Sequence, residues 1–168
     1  MNEPMELSGQ IRIRAAREDD VPVIFAFICE LAEYEKLRHE VVATETSLRA
    51  TLFGEHPAAE VLIAEDGASR AVGFSLFFPT YSTFLARPGV HLEDLYVTPA
   101  FRGRGVGRAL LSQLARIVVE RDWGRLEWAV LDWNATAIGF YRKLGAVPMD
   151  EWTTFRLTGP ALERVAKG

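Results

Sequence analysis

Cysteine is almost absent from this chain: Cys29 stands alone, which excludes an internal disulfide and fits a reducing cytoplasm. Histidine is scarce too. His39, His56 and His91 are scattered and give no metal-ligand spacing, so no metal is expected. No apolar run is long enough to span a bilayer, and residues 1–10 lack the basic and apolar regions of a signal peptide. Positive charge is not in excess either. With 19 basic against 23 acidic side chains the net charge is −4, which argues against nucleic acid and suits a cationic small partner. Repeats, low-complexity stretches and linkers are missing. The 168 residues are therefore expected to form one domain, with its core over about 11–158.

Against this background, Leu92 to Leu111 is the most informative stretch. It reads as a buried strand, a glycine-rich turn with flanking arginines, and the start of an amphipathic helix. Gly103, Gly105 and Gly107 let the backbone approach a ligand, and the helix that follows adds its positive dipole end. Arg102, Arg104 and Arg108 supply further positive charge. The expectation is a phosphate or pyrophosphate site. A dinucleotide fingerprint is excluded, because the sixth position counted from Gly103 is Arg108 and counted from Gly105 is Leu110. A phosphate loop of the Gly-Lys-Ser/Thr type has no matching residues.

Periodicity orders the rest. Ile11–Ala15 alternates as a strand. Asp19 or Asp20 can cap a helix with Pro22 in its first turn and Val21, Ile24, Phe25, Ile28, Leu31 and Ala32 on one face. Thr44 can cap a second helix through Phe53, stopped by Gly54. Val61–Ala64 and Ala71–Phe78 read as strands joined at Asp66-Gly67, and Val90–Val97 as the next strand. A helix over Val106–Arg121, a strand over Leu126–Leu131 and a helix from Asn134 to Leu144, ended by Gly145, follow. Ala146–Met149 and Thr153–Leu157 are expected to close the sheet as short strands. Cys29 is read as a packed small residue, His56 as a loop residue, and Trp123, Trp128, Trp133 and Trp152 as core or interface candidates.

This order of elements is α/β, and with Arg102-Gly103-Arg104-Gly105-Val106-Gly107 between strand and helix it resembles the GCN5-related N-acetyltransferases (GNAT). Within that superfamily the chain is similar to the spermidine/spermine (diamine) and thialysine N-acetyltransferases. The segments that carry this are Glu30-Leu31-Ala32-Glu33-Tyr34-Glu35, Phe53-Gly54-Glu55-His56-Pro57, Leu92-Glu93-Asp94-Leu95, Trp133-Asn134 and Phe140 to Ala146. At Arg108, Glu127-Trp128-Ala129 and Ala135-Thr136 the chain departs from the polyamine enzymes. The resemblance implies a mixed, mostly antiparallel central sheet flanked by helices and splayed at the strand that holds acetyl-CoA. It also implies direct transfer in a ternary complex, and a homodimer.

The chemistry sets its own requirements. An ammonium must lose a proton before it attacks a thioester, the oxyanion needs a donor, and the departing thiolate needs a proton. By the resemblance, the donor falls at Leu95, Tyr96 or Val97, whose outer backbone also pairs with the pantetheine arm. The turn from Arg102 to Arg108, with Gly103, Arg104, Gly105, Val106 and Gly107, holds the pyrophosphate, and Asn134 and Ala137 add to the cofactor site. Tyr141 reads from periodicity alone as a core tyrosine; the resemblance makes it the general acid. Glu93 and Asp94, adjacent on a strand, are expected on opposite faces, and the resemblance places Glu93 at the amine as its binding group and base. Tyr34, Glu35, Glu127, Trp128 and Ala129 match substrate-lining positions. Two other readings stay open: a protein or peptide N-acetyltransferase, and a non-catalytic acyl-CoA sensor.

Overall fold

Alternating Ile11 and Ile13, both buried, make β2 (Ile11–Ala15) the strand that the pattern calls for, and it pairs with a two-residue β1 (Glu6–Leu7) on its outer side. The computed structural model describes residues 6–7 and 11–168. They fall into two compact units, Met1–Ala129 and Val130–Gly168. In the first, β3 (Glu60–Glu65), β4 (Ala71–Ser82), β5 (Arg87–Val97) and β6 (Leu126–Trp128) continue the sheet in chain order. Neighbours are antiparallel except for β5 and β6, which run parallel. That last pairing covers only Val90–Leu92 against Leu126–Trp128, so β5 continues to Val97 with no strand beside it on the β6 side among the described residues. This is the expected splay.

Helix α1 (Val21–Tyr34) buries Val21, Ile24 and Phe27 against the sheet. The spacing places Phe27 rather than Phe25 in the core, because steps of three continue the buried stripe while Phe25 is rotated off it. The expected cap is replaced. Asp20 makes no side-chain cap to α1; its carboxylate accepts from Arg14 at 2.7 and 2.9 Å and from the Arg17 backbone at 2.6 Å. The hydrogen bond from Arg14 holds the Asp20 carboxyl below the usual range. Helix α2 (Glu45–Phe53) starts as expected, Ser47 N–H donating to Thr44 Oγ1 at 3.1 Å. Both helices pack on one sheet face, where Ile24, Phe27, Leu52, Val61, Ile63, Phe74 and Tyr96 form a core. Helix α3 (Val106–Glu120) covers the other face with Leu110 and Leu114 fully buried. No helix among the described residues is long and apolar enough to cross a membrane, and no group of three or more His, Cys, Asp or Glu among them could hold a metal.

The second unit holds α4 (Ala135–Lys143) and α5 (Gly159–Lys167). Ala137 N–H donates to Asn134 Oδ1 at 3.2 Å, and Gly145 takes the left-handed conformation (φ 88°) that ends α4. Three expectations fail here. The strand expected over Leu126–Leu131 stops at Trp128. Ala146–Met149 and Thr153–Leu157 form no strand, and α5 is a helix where none was expected. A short strand is stable only when paired; Pro148 lacks a donor, and Trp152 N–H closes a turn onto Met149 O instead. Val147, Trp152 and Phe155 remain exposed, as does Trp133. Gly159-Pro160 looks like a breaker in sequence, yet proline at the start of a helix loses no hydrogen bond, and α5 begins there.

Candidate active site

The glycine turn depends on backbone sign. Gly103 and Gly105 have φ of 74° and 85°, a region that costs residues with a Cβ about 1–2 kcal/mol. A Cβ on either would meet no atom within 4 Å, so nearby protein atoms do not require glycine there, and the space over the turn is open. Gly107 differs, sitting in the first turn of α3 with ordinary helical backbone. The first helical bond runs from Ala109 N–H to Gly105 O at 2.9 Å. The N–H groups of Val106, Gly107 and Arg108 therefore lack intrahelical acceptors and lie at the positive end of a 15-residue helix with no acid in its first turn. A pyrophosphate fits this donor set.

The side chains around the turn behave less uniformly than expected. Val106 is buried, so only its backbone can face a ligand. Arg108 is exposed, and Arg104 lies over the Phe101 ring at 5.1 Å. Arg102 folds back: its Nε donates to Val97 O at 2.9 Å, and its guanidinium stands 5.2 Å from the Tyr34 ring centroid and 5.6 Å from that of Tyr96. Arg102 thus braces the turn against the end of α1. Tyr96 points into the core and donates its hydroxyl to Glu30 at 2.5 Å. Burial, with help from Glu30, pushes its phenol up to about 12. Only the backbone of Tyr96 can serve a cofactor.

The expectation that Glu93 and Asp94 lie on opposite faces is overturned by a bulge. Leu76 pairs with Asp94 but Phe77 with Leu92, so Glu93 is an extra residue in β5. On one side of the bulge, Phe74, Leu76 and Tyr96 belong to the core beneath α1 and α2. On the other, Phe77 turns the opposite way, toward Gln113 and Ile117 of α3, and its partner Leu92 turns with it. Parity therefore switches between Leu92 and Asp94. His91 stacks on Phe78 at 5.0 Å, its Nε2 lies 3.4 Å from Glu93 Oε2, and Asp94 shares the face of Tyr96. Both carboxylates end up on the α1 side.

Burial, then the charge of Glu93, then that of Glu35 push the Asp94 carboxyl up from 3.8 to about 6. Burial also raises Glu35. Glu35 and Glu93 thus both lie near enough to Asp94 for their charges to bear on it, and Tyr34, next to Glu35 at the end of α1, lies against Arg102. Glu127 lies opposite His91 on β6 but is paired with Arg125 at 2.8 Å, while Trp128 lies opposite Leu92 and Ala129 just past the strand end. Asn134, Ala137 and Tyr141 belong to the second unit, where the Ala137 N–H is already given to Asn134 and the Phe140 and Tyr141 rings stand 5.4 Å apart. Sequence reading missed the part of His91, although its spacing two residues before Glu93 on a strand was a usable signal.

A raised carboxyl pKa destabilises the folded chain wherever the group must ionise. Below about pH 4 Asp94 is protonated folded and unfolded, with no penalty; as pH rises through about 6, stability is lost. Asp94→Asn is expected to stabilise the protein by about 2–3 kcal/mol at pH 7.5 and by nothing below about pH 4. Urea denaturation at both pH values checks this; an equal gap at both would refute it.

The acetyltransferase (GNAT) family model matches residues 25–146. The chain is 41% identical over 165 residues to the thialysine N-epsilon-acetyltransferase of Mus musculus, covering 92% of this chain and 96% of that one. It is 35% identical over 200 residues to the L-ornithine N5-acetyltransferase of Arabidopsis thaliana, covering 93% and 88%. Among solved structures, an integron cassette protein from V. cholerae superposes with a TM-score of 0.78 at 26% identity, covering 94% of this chain and 98% of that one.

Proposed function

Because the chain belongs to the acetyltransferase (GNAT) family and is an N-acetyltransferase, we propose that its acceptor is a small molecule bearing a primary amine. Thialysine-like amino acids and diamines or polyamines lead, with the acetyl group taken from acetyl-CoA by direct transfer in a ternary complex. The observation that carries this is the pair Glu93 and Asp94 on the α1 side of β5, where β5 outruns β6, with Glu35 at the end of α1 near enough for its charge to bear on Asp94. Carboxylates there attract an ammonium and leave it next to the open strand edge. The relatives named for thialysine and ornithine acetylation act on amines of that size.

In this reading the turn from Gly103 to Arg108 grips the pyrophosphate, and the open edge at Leu95–Val97 lines the pantetheine arm and donates to the oxyanion. Glu93 receives the amine, Tyr141 protonates the leaving thiolate, and Asn134 and Ala137 complete the cofactor site. Tyr34, Glu35, Glu127, Trp128 and Ala129 line the acceptor. We also assign a cytoplasmic homodimer with no membrane or nucleic-acid partner; Tyr81, Phe84 and Leu85, exposed on and beside the β4–β5 turn, offer apolar surface for a second copy.

The test is CoA release from acetyl-CoA, followed with a thiol reagent, across putrescine, spermidine, spermine, thialysine, ornithine, lysine and a lysine-containing peptide. Saturable release with one small amine is expected. Release with the peptide alone would overturn the small-molecule reading, and bound acetyl-CoA with no release by any amine would favour a sensor.

A further inference from the structure

The acceptor ammonium must give up a proton before its nitrogen can attack the thioester. The Glu93 side chain, which receives the amine in the reading above, is 55% exposed. Imidazole is the side chain whose class titrates nearest neutrality. One imidazole lies in reach: His91, two residues before Glu93 on β5 and so on the same face, has its Nε2 3.4 Å from Oε2.

Resting on the small-amine acetylation proposed above, we propose that His91 and Glu93 form an imidazole–carboxylate pair that takes up the proton of the acceptor ammonium. The ring is held for this. Phe78 stacks on one side at 5.0 Å, and β6 flanks the strand on the other with Glu127 opposite His91. Of the charged groups around the ring, Glu127 is committed to Arg125 at 2.8 Å, while Asp94 follows Glu93 on β5 and Glu35 reaches this face from the end of α1. The negative charge of Asp94 and Glu35 adds to that of Glu93 in drawing the ammonium. The side chain of His91 is 30% exposed, which leaves it a route to water.

The step balances simply. One N–H bond of the ammonium breaks and its electron pair stays on nitrogen as the nucleophile. The proton passes to Glu93 and comes to rest on the His91 imidazole, leaving Glu93 a carboxylate beside an imidazolium. Water then takes the proton from the exposed side of the ring. His91 acts through Glu93 and is a positioning and proton-holding residue.

The experiment compares wild type, His91→Gln and His91→Phe in pH profiles of kcat/KM for the amine, with acetyl-CoA affinity measured in parallel. His91→Phe keeps a ring against Phe78 and separates stacking from proton transfer. Both variants are expected to lose about 10–100-fold in kcat/KM near pH 7, and to recover toward wild type as pH approaches the amine's own pKa near 10, with acetyl-CoA binding unchanged. A deficit constant across pH, or none, would overturn the pair as proton acceptor. Wild-type protein inert toward every amine would instead overturn the amine reading, and this inference with it.

Discussion

Tyr141→Phe is expected to lower kcat by about 10²–10⁴-fold while leaving acetyl-CoA affinity within about twofold. Tyr141 lies on α4, near its C-terminal end and two turns past the Asn134 cap, with the Phe140 ring 5.4 Å away. Phenylalanine keeps the ring and its packing and removes only the hydroxyl. A phenol of ordinary pKa about 10 can protonate a thiolate of about 8.5 with a modest mismatch, which is what a general acid for CoA departure requires. On the proposed mechanism, loss of that proton slows departure of the thiolate from the tetrahedral adduct. Steady-state turnover with a saturating amine, set beside direct titration of acetyl-CoA, separates the two effects. Equal losses in turnover and affinity would show that the hydroxyl positions the cofactor and transfers no proton.

The largest expected loss of stability comes from Phe74→Ala, about 3–5 kcal/mol. Phe74 is fully buried between the sheet and α1, stacked on Phe27 at 5.7 Å, and is the register partner of Tyr96. Removing the ring leaves a cavity beneath the strand that carries the acidic face. Tyr96 also packs on Phe27 at 5.5 Å and holds Glu30, so the loss is expected to reach the bulge. A lowered urea midpoint with an unchanged slope would show the cavity cost; an unchanged midpoint would mean the neighbours collapse to fill it. Weaker amine binding should accompany the destabilisation, because Asp94 and Tyr96 share that face.

The two carboxylates show where sequence reasoning meets its limit. Their types and their place before a glycine turn are written in the chain, and so is the identity of each neighbour. Their directions are not. Alternation assumes an unbroken register, and the break at Glu93 is settled by how Leu76 and Phe77 pair across from Leu92 and Asp94, some fifteen residues away along the chain. Arg102 shows the same limit. Its sequence position suggests a phosphate ligand, but the Tyr96 ring and the Val97 carbonyl at the end of β5, with the Tyr34 ring that the packing of α1 brings near, take its side chain.

What the sequence by itself determined is local: the helices α1 to α4, the strands β2 to β6, the left-handed Gly145 after α4, the Asn134 cap, and a family signature over most of the chain. Each depends on residues within a few positions of one another, where propensity, capping and periodicity act. The tertiary structure alone decided that Asp94 joins Glu93 on the α1 side and that its carboxyl is pushed up to about 6. It also left Ala146–Met149 and Thr153–Leu157 out of any strand, since a strand exists only where another presents an edge to it. Direction, proximity and desolvation arise from contacts between distant segments, and no window of sequence contains them.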